Sequence, residues 1–128
     1  MYSFATNLRG DMQQIDKQVR EALLAEGFGV LTEIDVQATL KNKLGVDKRP
    51  YKILGACNPG FANQALEAEP DIGLLLPCNV VLREEQDGSI TVAFMDPEAV
   101  LSLVQRDDIE ATAKEVKARL ERVCNSLG

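Results

Sequence analysis

Two stretches of the chain repeat hydrophobic residues at helical spacing, and five shorter ones carry the alternation or β-rich composition of strands. Met12, Ile15, Val19, Ala22 and Leu23 fall on one helical face. Asp11 followed by Gln14 reads as a capping box at the start of that helix, and Gly27 as its stop. Toward the other end, Ile109, Ala113, Val116, Leu120, Val123 and Leu127 recur at spacings of four and three, with Asp107 or Asp108 expected as the cap. Fewer than three heptads are covered, too few for a coiled coil, so the stripe is read as a helix laid on a sheet, with a dimer seam as the alternative. Strands are expected over 2–6, 28–34, 51–57, 72–83 and 90–95. In the second of these Phe28, Val30, Thr32 and Ile34 would face one way, and Gly29, Leu31 and Glu33 the other. In the fourth, Cys78, Val80 and Leu82 would share a face opposite Pro77, Asn79 and Val81.

The connections carry their own signals. Asp35 suits the cap of a short helix through Val36, Leu40 and Leu44, closed by Gly45. Asn58-Pro59 fits a helix N-cap and first helical position, followed by an apolar stripe of Phe61, Ala62, Ala65, Leu66 and Ala68 that Glu69-Pro70 ends. Asp87-Gly88 marks a hairpin, and Asp96-Pro97 opens a short helical segment. The fold class these elements predict is a single α+β domain over 1–128. It is one mixed β-sheet of about five strands with two long helices packed on one face, in the order β-α-β-β-α-β-β-α.

Within that pattern, two segments end alike: 51–58 closes on Cys57-Asn58 and 72–79 on Cys78-Asn79. With a helix between them the two strands read as a parallel crossover pair. Each cysteine lies six positions past its segment's start, so parallel neighbours would bring the Cα atoms to about 4.8 Å, within disulfide range. Pro77 weighs against a regular central strand at that point, since it implies an edge or a bulge.

Composition narrows the chemistry. Hydrophobic residues make up 45% of the chain, enough for a real core. The net charge of −6 disfavours a nucleic-acid backbone or an anionic membrane as partner. Lysines and Arg49 cluster around 41–52, but Asp47 interrupts them and only Tyr51 supplies an aromatic, so they read as a solvated connection. No apolar run is long enough to span a bilayer and no basic leader opens the sequence, which points to the cytosol. Three cysteines in such a chain imply reduced thiols. With no histidine anywhere, Ser-His-Asp and Cys-His arrangements are excluded within one chain.

The candidate site therefore rests on sulfur. A thiol just before a helix N-terminus is a candidate for a lowered pKa, so Cys57 is read as a nucleophile and Cys78 as its resolving partner. Asn58 and Asn79 could donate amide hydrogens to a bound anion or carbonyl, Asn58 being also the expected cap. Glu33 and Asp35 are candidate ligand-binding carboxylates, with capping the alternative role for Asp35. Two thiolates joined by one of these carboxylates fall short of a four-ligand zinc set, so neither a metal nor another cofactor is expected. The alternative is that both cysteines are small buried hydrophobes in a non-catalytic module.

The motifs 53–59 (Ile-Leu-Gly-Ala-Cys-Asn-Pro), 75–81 (Leu-Leu-Pro-Cys-Asn-Val-Val), Glu33-Ile34-Asp35, Lys43-Leu44-Gly45 and Asp96-Pro97 together resemble the bacterial and archaeal family known as domain of unknown function 302. The resemblance spans about residues 2–125. It implies a compact α+β domain, often a stand-alone small protein, that forms a homodimer. It implies no activity. Glu33, Asp35, Cys57, Asn58, Cys78 and Asn79 match the family's motifs, which implies a shared pocket open to a small-molecule ligand.

Overall fold

The computed structural model describes residues 1–128. Its sheet has five strands: β1 (Ser3–Leu8), β2 (Gly29–Asp35), β3 (Tyr51–Cys57), β4 (Cys78–Glu84) and β5 (Ile90–Met95), in the spatial order β1-β5-β4-β3-β2. Every neighbouring pair is antiparallel, so the sheet is not mixed. Two long helices, α1 (Met12–Ala25) and α5 (Asp107–Leu127), accompany three short ones, α2 (Val36–Leu44), α3 (Pro59–Ala68) and α4 (Pro97–Leu101), and two 3-10 turns. The edge strands β1 and β2 run parallel to each other at opposite sides of the sheet, and α1 crosses the whole sheet to connect them.

The capping signals are fulfilled except at α5. Asp11 accepts from the Gln14 amide at 2.8 Å, Asp35 from Ala38 at 2.9 Å and Asn58 from Phe61 at 3.2 Å. Gly45 closes α2 at φ 67°, the left-handed conformation open to glycine. At α5 the cap is Arg106 in place of either aspartate, and Asp108 instead pairs with its guanidinium at 2.9 Å.

Residues 72–77 depart from expectation. Their leucines alternate as in a strand, but 70–75 form a 3-10 turn started by Pro70, and β4 begins only at Cys78. The chain thus reverses between β3 and β4, which pair antiparallel with Ala56 opposite Cys78, and the parallel crossover is absent. In β2 a bulge at Leu31 shifts the alternation: Val30 pairs with Ala56, whereas Thr32 pairs with Gly55 and Ile34 with Ile53. Val30 therefore shares the helix-facing side with Ala56, and Thr32 and Ile34 look away from it.

The core lies between the sheet and the long helices. Ile15, Val19 and Leu23 of α1 and Leu120 and Val123 of α5 meet Leu54, Val80, Leu82, Val92 and Phe94, all at most 1% exposed. A second, smaller cluster forms where Ala65 and Ile72 meet Leu101, Ile109 and Ala113. The opposite side of the sheet keeps apolar side chains at its surface, including Ile34 at 50% exposure.

Candidate functional site

Between the two clusters the interior does not close. Phe28, Ala56, Cys78 and Val116 belong to the large core, Ala65 and Leu101 to the small one, and all six line one pocket of about 300 Å³. It lies at the C-terminal end of β3, between α3, the 3-10 turn after it and α5. Of its 17 lining residues 12 are hydrophobic and none is charged.

The antiparallel register brings both thiols here by a different route from the one their spacing suggested. Cys78 opens β4 opposite Ala56, and Cys57 ends β3 one residue further on. Cys57, Asn58 and Cys78 line the pocket together. All three cysteines of the chain are free. Burial pushes the Cys57 thiol above its usual range, and it drives Cys78, with a smaller contribution from Cys57, up to about 11. The lowered Cys57 pKa expected from the helix start is not found. Desolvation opposes the thiolate, and the amide of Phe61 that the helix start offers is already taken by the Asn58 side chain.

The other three sequence candidates lie elsewhere. Asn79 is exposed on the sheet face away from the helices, paired with Gly55. Glu33 joins an ion cluster with Arg20 and Lys52. The center of that cluster is Asp16, whose Oδ1 is 2.5 Å from Arg20 and whose Oδ2 is 3.0 Å from Lys52 Nζ. Asp35 caps α2. No carboxylate joins the two sulfurs, and no group of three or more cysteine, aspartate or glutamate side chains converges on one point. No helix is long and apolar enough to cross a membrane.

Phe28, Phe61, Leu76 and Val116 of the pocket wall were legible only as core positions, and Leu101 was not singled out at all. An apolar residue beside a cavity has the same sequence signature as one in a filled core, so no local signal separates them. Phe61 also carries the Arg119 guanidinium 5.1 Å from its ring centroid, a cation–π contact. Arg119 also donates to the Glu26 carbonyl at 3.3 Å and to the Glu115 carboxylate at 3.2 Å, and it is not one of the lining residues.

These features define a small α+β domain with one helix-covered antiparallel sheet and an apolar pocket at the end of its third strand. The chain belongs to the family described as Domain of unknown function DUF302, whose model matches residues 4–127. An uncharacterized protein of Aquifex aeolicus (strain VF5) is 26% identical over 119 aligned positions, covering 79% of this chain and 83% of the relative. The crystal structure of an uncharacterized conserved DUF302 protein from Bacillus stearothermophilus is similar at TM-score 0.92 and 26% identity. That match covers 100% of this chain and 99% of the other.

Proposed function

We propose that this domain is a binding protein for a small apolar ligand held between α3, α5 and the ends of β3 and β4. The observation that carries the reading is an apolar groove of about 300 Å³ between the two cores, open to the surface where Leu31 and Leu66 stand exposed at its rim. A concave, mostly apolar cleft of a few hundred Å³ is the usual form of a small-molecule site. At about 30 Å³ for each water-sized group the space suits roughly ten non-hydrogen atoms. The neutral thiols then serve as polarizable wall atoms and not as an activated nucleophile with its resolving partner.

The test is titration with 2-ethylnaphthalene, followed by ligand fluorescence and by thermal shift, in the wild type and in Ala62→Trp. Ala62 is a half-buried wall residue, so an indole there fills the space from the rim. Saturable binding by the wild type with a Kd below about 100 µM, lost in a folded Ala62→Trp variant, is expected. No binding by the wild type would overturn the reading.

A second observation favours a homodimer. Ala5, Ala93, Val81, Ile53 and Ile34 are successive cross-strand partners, one unbroken apolar row over all five strands on the face without α1 and α5. Polar rows flank it: Asn7, Thr91, Arg83 and Tyr51 on one side, Asn79, Gly55 and Thr32 on the other. An apolar center with a polar rim is the anatomy of a protein interface, and a row across the sheet can meet its own copy about a two-fold axis. We propose a second copy of this chain as its occupant. Sedimentation should give a dimer for the wild type and a folded monomer for Val81→Lys. A monomeric wild type at tens of micromolar would exclude this.

A further inference from the structure

Resting on both readings above, we infer that the mouth of the groove and the dimer face are one surface: the second copy closes over a bound apolar ligand, so that ligand binding and dimerisation strengthen each other. The groove does not stay on the helix-facing side of the sheet. Ala56 and Cys78 are cross-strand partners on that side, and both line it. Thr32 and Pro77 line it too, yet they meet the opposite side. A Cβ on Gly55, one position before Ala56, would point away from the helices, and it would run into the Thr32 side chain and Pro77 Cγ. The lining therefore passes from one side of the sheet to the other and reaches the face that carries the apolar row.

The distance to that row is short. Thr32, Gly55 and Asn79 are cross-strand partners, and two residues along the same strands stand Ile34, Ile53 and Val81. Two residues of strand are about 7 Å, and Thr32 lies two strands to the side of Val81, the middle of the row, which puts it about 12 Å from that midpoint. A dimer interface of ordinary size buries about 800 Å² on each partner, a disc of about 16 Å radius. Centred on Val81, such a contact covers Thr32 and extends to the rim beside it, where Leu31 stands at the bulge of β2. Leu31 and Ile34, 69% and 50% exposed on one edge strand, then share one cover.

The sign of the coupling follows from what the open mouth leaves wet. A ligand in the uncovered groove keeps part of its apolar surface in water, and the second copy removes it. Covering on the order of 60 Å² of ligand corresponds to about tenfold in affinity. Linkage makes the effect reciprocal, and with one groove in each chain a saturated dimer should hold together about a hundredfold more tightly.

The probe is 2-ethylnaphthalene. Sedimentation of the wild type over a concentration series, without probe and at saturation, should show the dimer dissociation constant falling about a hundredfold. Val81→Lys and Ala93→Lys each place a charge in the row without touching the groove lining, the second of them two strands from β3. Both should be folded monomers that bind the probe about tenfold more weakly than the dimeric wild type, and either one suffices if the other fails to fold. Equal affinity in the wild type and a monomeric variant, or a dimer constant that the probe leaves unchanged or weakens, overturns the inference while leaving groove and dimer in place. A wild type that binds no probe removes the ligand-binding reading, one that stays monomeric with and without probe removes the dimer, and either result removes the coupling.

Discussion

Thr32 sits where a side chain on Gly55 would be. The two are cross-strand partners on β2 and β3, and a Cβ built on Gly55 overlaps the Thr32 hydroxyl and lies 2.8 Å from Pro77 Cγ. Glycine thus lets the bulged edge of β2 and the entry to β4 close on β3 from both sides, just below the end of the strand that carries Cys57. Gly55→Ala should destabilise the domain by about 2 kcal/mol through overpacking. Thr32→Ala in the same background should recover only part of this, because Pro77 remains. Urea unfolding of the wild type and the two variants measures both numbers, and an unchanged midpoint for Gly55→Ala would show that the strands separate freely.

The thiol environment makes a prediction about rates. A folded pKa of about 11 leaves Cys78 with roughly a hundredth of the thiolate of an ordinary cysteine at pH 7, before any steric protection is counted. Cys57 is raised as well but is only half-buried. Iodoacetamide at pH 7 should therefore modify Cys57 slowly and Cys78 almost not at all, with both rates still rising above pH 9. A rate for Cys57 that levels off between pH 6 and 8 would restore the nucleophile reading.

The parts of the fold that were legible in the sequence are those set by local chemistry. The stripes of α1 and α5 and the caps Asp11, Asp35, Asn58 and Asp96 depend on neighbours within four residues, so a linear reading finds them. What failed was non-local or degenerate. The leucines of 72–76 alternate as a strand would, whereas the chain takes a 3-10 turn from Pro70 and packs Ile72 into the small core with Leu101 and Ala113. Strand direction follows from where that turn sends the chain, so the error propagated to the pairing of β3 with β4. The thiols and Asn58 came together all the same, because antiparallel strands joined at one end share that end. Asn79 was lost from the site by the plainest rule of a strand: one position beyond Cys78, it points to the other face.

The ion cluster on α1 gives a pH signature. Burial alone would raise the Asp16 carboxyl, but hydrogen bonds and charge from Arg20 and Lys52 outweigh it and hold the pKa below the usual carboxylate range. A carboxylate depressed in the folded state adds stability that is complete above its unfolded value of about 3.9 and is lost as pH falls through the folded value. Asp16→Asn should thus cost about 2 kcal/mol at pH 7, where it leaves Lys52 short of a partner, and the gap from wild type should narrow from pH 5 to pH 3. Denaturant titrations across that range would read it. A gap independent of pH would mean that the charge of Asp16 contributes nothing.

Asp96 couples the pocket wall to the rest of the domain. Its Oδ1 accepts from the amides of Glu98 at 2.9 Å and Ala99 at 3.2 Å, starting α4, and its Oδ2 meets Lys117 Nζ of α5 at 3.0 Å. Burial pushes its pKa up, yet the lysine and the two amides together hold it low. One carboxylate therefore fixes the short helix that presents Leu101 against the long helix that presents Val116, two walls of the same cavity. Asp96→Asn keeps an N-cap and should cost about 1 kcal/mol, whereas Asp96→Ala removes cap and ion pair and should cost about 2 to 3 kcal/mol. The functional consequence separates from the structural one in binding. Well below its melting temperature, Asp96→Ala should bind 2-ethylnaphthalene several-fold more weakly than the wild type, because α4 is no longer held against α5. Binding that survives the loss of both contacts would mean that Leu101 is held in place by the small core alone.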